Sequence, residues 1–139
     1  MADLFQPAGV LVTGAAGFIA SHVTNALVRS FPGVHVTAID RLDPCATREN
    51  ISQAASSPLF TLVEADITAP GLLDSVLDAT PSIDCILHFA ARSHVDDSFD
   101  HPQLYVQDNI SGTLAVLEAA RRRSHRIQYL TVHSIVPIL

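Results

Sequence analysis

Residues 10–20 read VLVTGAAGFIA, and this stretch admits one local structure: an apolar strand, a glycine turn and the start of a helix. Val10-Leu11-Val12 is short and apolar, and Gly14 follows at once. Phe18, Ile19, Val23, Ala26 and Leu27 then recur at helical spacing until Phe31-Pro32-Gly33 stops the pattern. Val34 to Ile39 is a second strand ending in Asp40, so strand, helix and strand form a right-handed βαβ unit.

The alternation continues beyond it. Pro44 to Pro58 is polar and irregular, with one helical turn expected over Arg48 to Ala55. Leu59 to Glu64 is a third strand, and Leu72, Leu73, Val76 and Leu77 belong to a helix that Pro81 ends. Ile83 to Phe89 reads as a central strand interrupted only by Asp84. Ala90 to His101 is expected to be a loop. Asp100 suits an N-cap and Pro102 a first turn, which predicts a long helix to about Arg122 burying Ile110, Leu114 and Leu117. Arg126 to Val132 is a fifth strand.

The predicted fold class is therefore α/β, a Rossmann-type doubly wound parallel sheet in the spatial order 3-2-1-4-5, truncated after about the fifth strand. Residues 1–8 read as an extension, 9–132 as the nucleotide-binding domain and 133–139 as an apolar tail unusual for a domain end. An apolar share of 48% against 16% charged residues agrees with strands buried on both faces.

A net charge of −6, with every basic residue an arginine, argues against a nucleic-acid or membrane-surface partner. Arg121, Arg122, Arg123 and Arg126 form the basic cluster, read first as a cationic helix end and second as a phosphate site. Cys45 and Cys85 are expected to be free thiols. The seven histidines lack metal-ligand spacing, so no metal is expected. With no long apolar span, the expected location is cytoplasmic.

Gly14, Gly17 and Ala20 give a G-x-x-G-x-x-A spacing between a strand and a helix. Gly14 permits the tight turn, Gly17 lets backbone N–H groups approach a pyrophosphate at the positive helix end, and Ala20 lets the helix lie close to the sheet. Asp40, after the next strand, would accept from the adenosine ribose hydroxyls and repel a 2′-phosphate, which favours NAD over NADP. Arg41 pulls the other way, since an arginine there can meet a phosphate. Asp66, with Ile67, stands where an adenine would lie, although it also suits a turn cap. Phe89, Ala90 and Ala91 place small residues where the strand order reverses.

Together, TGAAGFIASHV, Asp40-Arg41-Leu42, Asp66-Ile67, HFAARSHVDDS at 88–98 and Asn109-Ile110-Ser111-Gly112-Thr113 resemble the extended short-chain dehydrogenase/reductase family. Within it the chain is most similar to the nucleotide-sugar 4,6-dehydratases, particularly the UDP-glucose 4,6-dehydratase domain of rhamnose synthases, and also to the dTDP-glucose enzymes. The resemblance implies NAD as a cofactor that takes hydride from C4 of a sugar nucleotide, loss of water across C5 and C6, and hydride return to C6. It places Phe18 and Ile19 at the pyrophosphate, Asp40, Arg41, Leu42 and Asp43 at the adenosine ribose, and Asp66 and Ile67 at the adenine. Phe89, Ala90, Ala91 and Ser93 fall at the nicotinamide-side ribose, Asp108 beside the cofactor, and Ser93 with His94 beside the sugar. A homodimer through the long fourth helix is left open.

Two positions depart from the family pattern: Arg92 stands where Glu or Gln is usual, and Asp108 where Thr or Asn is typical. Their opposite charges are expected to compensate each other. The catalytic Tyr-x-x-x-Lys pair is also missing, because the chain has no lysine and its tyrosines, Tyr105 and Tyr129, are followed four residues on by Asn109 and His133. Both tyrosines are read as packing residues, and Thr131 as a remnant of the first catalytic hydroxyl. The leading expectation is the NAD-binding portion of a UDP-glucose or dTDP-glucose 4,6-dehydratase, inactive alone. The alternatives are an inert NAD-binding or regulatory module and a fragment of a nucleotide-sugar epimerase.

Overall fold

A computed structural model describes residues 5–133, so the expected apolar tail lies outside the described residues except for His133. Five strands, β1 (Gly9–Thr13), β2 (His35–Asp40), β3 (Phe60–Glu64), β4 (Cys85–His88) and β5 (Tyr129–Val132), pair in parallel in the order β3-β2-β1-β4-β5. The order reverses between β1 and β4, and a crevice opens there because the turns leaving the two strands diverge. β1 is buried along its whole length, as its position in the middle of the sheet requires.

Helix α1 (Phe18–Ser30) covers one face, where Val10, Val12, Val36 and Ala38 pack with Ala20 and Leu27. The opposite face carries Leu11, Ile39, Ile83 and Ile86 beneath α3 (Leu72–Ala79) and α6 (Gly112–Arg121). Between β2 and β3 lie a 3-10 turn (Arg48–Ile51) and α2 (Ser52–Ala55), which fulfil the expected helical turn. The inward side of α1 is small: Ala20, Ser21 and Thr24 are buried, whereas Phe18 and Ile19 are 81% and 50% exposed. Thr24 satisfies its buried hydroxyl by donating to the Ala20 carbonyl at 2.8 Å.

After β4 the expected loop contains α4 (Val95–Asp100), whose first turn carries Asp96 and Asp97 at the positive helix end. α5 (Pro102–Tyr105), a π-helical segment (Val106–Ser111) and α6 follow without interruption. Asp100 is the last residue of α4 and His101 takes the N-cap place of α5, which corrects the expected cap.

The expected buried face is also wrong. Ile110, Leu114 and Leu117 are 62%, 57% and 44% exposed, and Asp108, Asn109, Gly112, Val116, Ala119 and Ala120 face inward. Close approach explains the inversion, since a Cβ on Gly112 would stand 3.0 Å from Ile67 Cδ1. At Gly112 the seam leaves no comfortable room for a side chain.

The arginine cluster clamps α3 to the end of α6. Arg123, with its side chain 11% exposed, pairs with Asp74 at 2.6 Å and Asp78 at 2.7 Å. Arg122 reaches Asp74 at 3.0 Å, Arg121 reaches Glu118 at 2.8 Å, and Arg126 donates to the Leu77 carbonyl. Arg123 and then Arg122 hold the Asp74 carboxyl below the usual range. These guanidiniums are committed to carboxylates and a carbonyl, so the phosphate reading of the cluster finds no support here.

Asp84, the polar break in β4, accepts from the Ala8 N–H at 3.0 Å and so fixes the approach to β1. Both cysteines are free; burial, then the charge of Asp84, pushes the Cys85 thiol up to about 11. Tyr129 is 49% exposed and stacks on Phe5 at 6.1 Å, so it is a surface contact rather than a core residue.

Candidate functional site

Thr13 ends β1 and Gly14 turns the chain with φ +67°, a left-handed conformation that suits glycine. The Gly14 N–H donates to the Ile39 carbonyl at 2.8 Å, and the Gly17 N–H returns to Gly14 O at 3.0 Å, closing the turn against β2. Gly17 has extended backbone (φ −68°, ψ 168°), so its value lies in lacking a side chain at the helix mouth. No side chain caps α1 there, which leaves its first-turn N–H groups aimed at the crevice.

Asp40 braces this turn from the end of β2. Its Oδ2 accepts from the Ala16 N–H at 2.9 Å and its Oδ1 from the Leu42 N–H at 2.8 Å. From the other side Asn50 donates to the Ala16 carbonyl at 2.8 Å, a support that sequence reading missed because an isolated Asn in an irregular segment carries no spacing signal. Leu42 takes φ 57°, in the left-handed region, and turns its side chain into the small cluster of Ala16, Ala46 and Ile51.

A cleft of about 890 Å³ opens over the carboxyl edge of the sheet, a size suited to a small-molecule ligand. Gly14, Gly17, Phe18, Ile19, Asp40, Arg41, Asp43, Asp66, Ile67, Phe89, Ala90, Ala91, Ser93, His94 and Asp108 all line it, so residues far apart in sequence meet as expected. Leu42 and Thr131 do not. Thr131 sits on β5 with its hydroxyl 3.1 Å from His133 Nε2, and it is Val132 and His133 that reach the cleft. Position along the strand decides this: β5 ends at Val132, so Val132 and His133 stand at the carboxyl edge of the sheet and Thr131 stops short of it.

Among the cleft residues that sequence reading does not mark as site residues, Tyr105, Asp97 and His133 carry polar or ring contacts. Tyr105, read there as packing, donates its hydroxyl to the His94 carbonyl at 2.6 Å and to Asp97 at 3.1 Å, with the Arg92 guanidinium 6.0 Å from its ring. His133 stacks on Phe89 with ring centres 4.8 Å apart and its N–H donates to the His88 carbonyl. Helix α4 brings Asp97 and Tyr105 together, and nothing in a stretch read as loop could signal that.

The expected compensation of Arg92 by Asp108 is present as an ion pair of 2.5 Å. Asp108, only 10% exposed in its side chain, also meets Arg41 at 2.5 Å, while Arg41 reaches Asp43 at 2.7 Å and Asp66 at 3.0 Å. Burial pushes the Asp108 carboxyl up, but Arg41 and Arg92 outweigh it and hold it below the usual range. Hydrogen bonding to Asp108 raises Arg41 against the opposing effect of burial. Asp66 spends Oδ1 on the Thr68 N–H and hydroxyl at 2.8 and 2.7 Å, the turn-capping role that had been weighed against adenine contact.

Under the floor of the cleft runs a directed hydrogen-bond chain. The Ala90 N–H donates to Thr13 Oγ1, and Thr113 spends its proton on the Asn109 carbonyl at 2.7 Å, so a neutral His88 donates from Nε2 to Thr113 Oγ1 at 3.0 Å and accepts at Nδ1 from the Thr13 hydroxyl at 2.6 Å. These directions require one neutral tautomer of His88, and burial accordingly pushes its pKa down to about 4. Asn109 completes the brace by accepting from the Arg92 N–H at 2.7 Å and donating to the Arg92 carbonyl at 3.0 Å. The crevice-lining loop Phe89–Arg92 is thereby fixed to β1 and to the π-helical segment.

Comparison with known proteins agrees with this geometry. A family model described as GDP-mannose 4,6 dehydratase matches residues 11–134. A trifunctional UDP-glucose 4,6-dehydratase/UDP-4-keto-6-deoxy-D-glucose 3,5-epimerase/UDP-4-keto-L-rhamnose-reductase of Arabidopsis thaliana is 45% identical over 117 residues, 84% of this chain. Among solved structures, a dTDP-glucose 4,6-dehydratase from Streptomyces venezuelae with NAD bound superposes with a TM-score of 0.78 at 33% identity over 88% of the chain. A UDP-glucose 4-epimerase from Stenotrophomonas maltophila, also with NAD, gives 0.75 at 32% identity and 88% coverage. The chain spans 18% of the length of the Arabidopsis relative and 38% and 35% of the two solved chains.

Proposed function

The chain belongs to the GDP-mannose 4,6-dehydratase family, and on that premise we propose that it is the NAD-binding portion of a nucleoside-diphosphate-sugar 4,6-dehydratase acting on UDP-glucose or dTDP-glucose. The observation that carries the reading is the uncapped amino end of α1 over an 890 Å³ cleft, with Gly14, Gly17 and Asp40 placed as a dinucleotide needs. The residues fit the cofactor. First-turn N–H groups of α1, at Phe18 and Ile19, receive the pyrophosphate, and Asp40, Arg41 and Asp43 face the adenosine ribose. Asp66 and Ile67 border the adenine, and Phe89, Ala90, Ala91 and Ser93 face the nicotinamide-side ribose, with Ser93 and His94 toward the sugar.

Bound there, NAD supplies reversible hydride acceptance. This chain's own residues position it, and because the chain contains no lysine, no tyrosine in it gains the ammonium that would lower its pKa for proton abstraction. Calorimetry is expected to give saturable heat with NAD. Gly17→Val should abolish that heat while the chain still melts cooperatively, at a somewhat lower temperature because its Cβ would stand 3.1 Å from the Gly14 carbonyl oxygen. Incubation with NAD and UDP-glucose is expected to yield no 4-keto product from this chain alone. Absence of NAD binding by the folded wild type would sink the proposal.

The exposed face of the helical run after β4 fits a second copy of the chain. Phe99, Leu104, Val106, Ile110, Leu114 and Leu117 are 41–62% exposed, too much apolar surface to leave in water. Sedimentation should show a dimer that Ile110→Glu with Leu114→Glu converts to monomer; a monomer in the wild type at all concentrations overturns this assignment. Among the described residues no helix is long and apolar enough to cross a membrane, and a cytoplasmic location with no nucleic-acid partner is proposed with the rest.

A further inference from the structure

Arg41 follows Asp40 directly, at the place where a doubly wound fold that takes a 2′-phosphorylated dinucleotide keeps an arginine for that phosphate. Here every N–H of its guanidinium faces a carboxylate. Nε donates to Asp43 at 2.8 Å, Nη1 to both Asp66 and Asp108 at 3.0 Å, and Nη2 to Asp108 at 2.5 Å with Asp43 Oδ2 2.7 Å away. Asp108 alone grips two prongs of the guanidinium, a geometry that fixes direction as well as charge. It arrives from the helical run after β4, and its Oδ2 is also held by Arg92 Nε at 2.5 Å, so it cannot swing aside without breaking a second ion pair. Three carboxylates stand against two guanidiniums in this cluster, and Asp40 adds a fourth beside it.

We propose that Asp108 is a positioning residue that sets cofactor selectivity: by forking Arg41 it withholds that guanidinium from a 2′-phosphate and leaves the ribose end of the cleft net negative. The inference rests on the NAD-binding reading above and deepens it. The residue next to the selecting acid offers a phosphate ligand in sequence; the fold cancels the offer from 67 residues away.

Dissociation constants for NAD and NADP, measured at one fixed ionic strength, test it. In the Asp108→Asn chain the ratio of the NADP constant to the NAD constant should fall by about tenfold, as the guanidinium loses its two-pronged anchor and keeps only Asp43 and Asp66, from which a 2′-phosphate can draw it. Adding Arg41→Gln to that background should restore the wild-type ratio, which a merely structural loss would not do, because it would weaken both ligands together. Asp43→Asn, at a more exposed carboxylate, should move the ratio in the same direction by less, and serves if Asp108→Asn does not fold. An unchanged ratio in a variant that still binds NAD, or a gain that survives Arg41→Gln, overturns the proposal. Wild-type chain that binds neither dinucleotide overturns the functional reading itself, and this inference with it.

Discussion

Gly14→Ala is expected to destabilise the domain by about 3–4 kcal/mol, whereas Gly71→Ala costs about 1 kcal/mol. The two glycines share a left-handed backbone, with φ +67° and +75°, so the conformational cost of an added side chain is common to both. Their surroundings differ. A Cβ on Gly14 would lie 2.7 Å from both the Cα and the N of Ala90, backbone atoms of the strand-four turn that cannot move alone, and a Cβ on Gly71 would meet nothing within 4 Å. Urea denaturation of the two variants separates conformational cost from contact cost. Equal losses would show that the β1 and β4 turns are not packed together as described, and the crevice would then lack its floor. Because the displaced segment is the Phe89–Arg92 loop, the Gly14 variant should also lose NAD binding.

Stability is expected to fall by about 3 kcal/mol as pH drops from 6.5 to about 4, on account of His88 alone. The buried imidazole stays neutral to about pH 4, while the unfolded chain takes up its proton near 6.5. The contribution is therefore complete above pH 6.5 and is lost on acidification through that window. His88→Ala should cost about 4 kcal/mol at neutral pH, since it removes a 1% exposed side chain and strands the Thr13 and Thr113 hydroxyls. His88→Gln retains a donor and an acceptor, so it should recover part of that loss and flatten the profile between pH 6.5 and 4. A wild-type curve with no slope in that interval refutes the neutral, doubly bonded imidazole. Carboxylates held low, Asp108 and Asp66 among them, add their own loss only at more acid pH, below the range of His88.

The candidate site was legible in sequence where a residue's backbone role forced its identity. Gly14 is the clear case, with φ +67° where β1 must turn sharply into α1 beside the β4 turn. Roles that depend on side chains converging from distant segments were not legible. Asp66 was found, yet its partners Thr68 and Arg41 give it a turn-capping and ion-pairing task. Tyr105 and Tyr129 were read as packing, but one lines the cleft and the other lies on the surface. Thr131 offers a hydroxyl in sequence, but it lies one residue short of the strand end, and Val132 and His133 line the cleft instead.

The sequence by itself determined the sheet, its order β3-β2-β1-β4-β5 and the position of the crevice, because alternating apolar periodicities and right-handed crossovers leave few ways to wind a parallel sheet. The charges at Arg92 and Asp108 suggested a pairing only against a family pattern, and the ion pair itself is a tertiary finding. Only the tertiary structure decided which face of the last helical run is buried, since amphipathic spacing marks a face without saying whether small residues elsewhere allow closer packing. Only it decided that Arg41 is spent on three carboxylates and that His88 is neutral. Those states depend on distance and burial, which chain order does not encode.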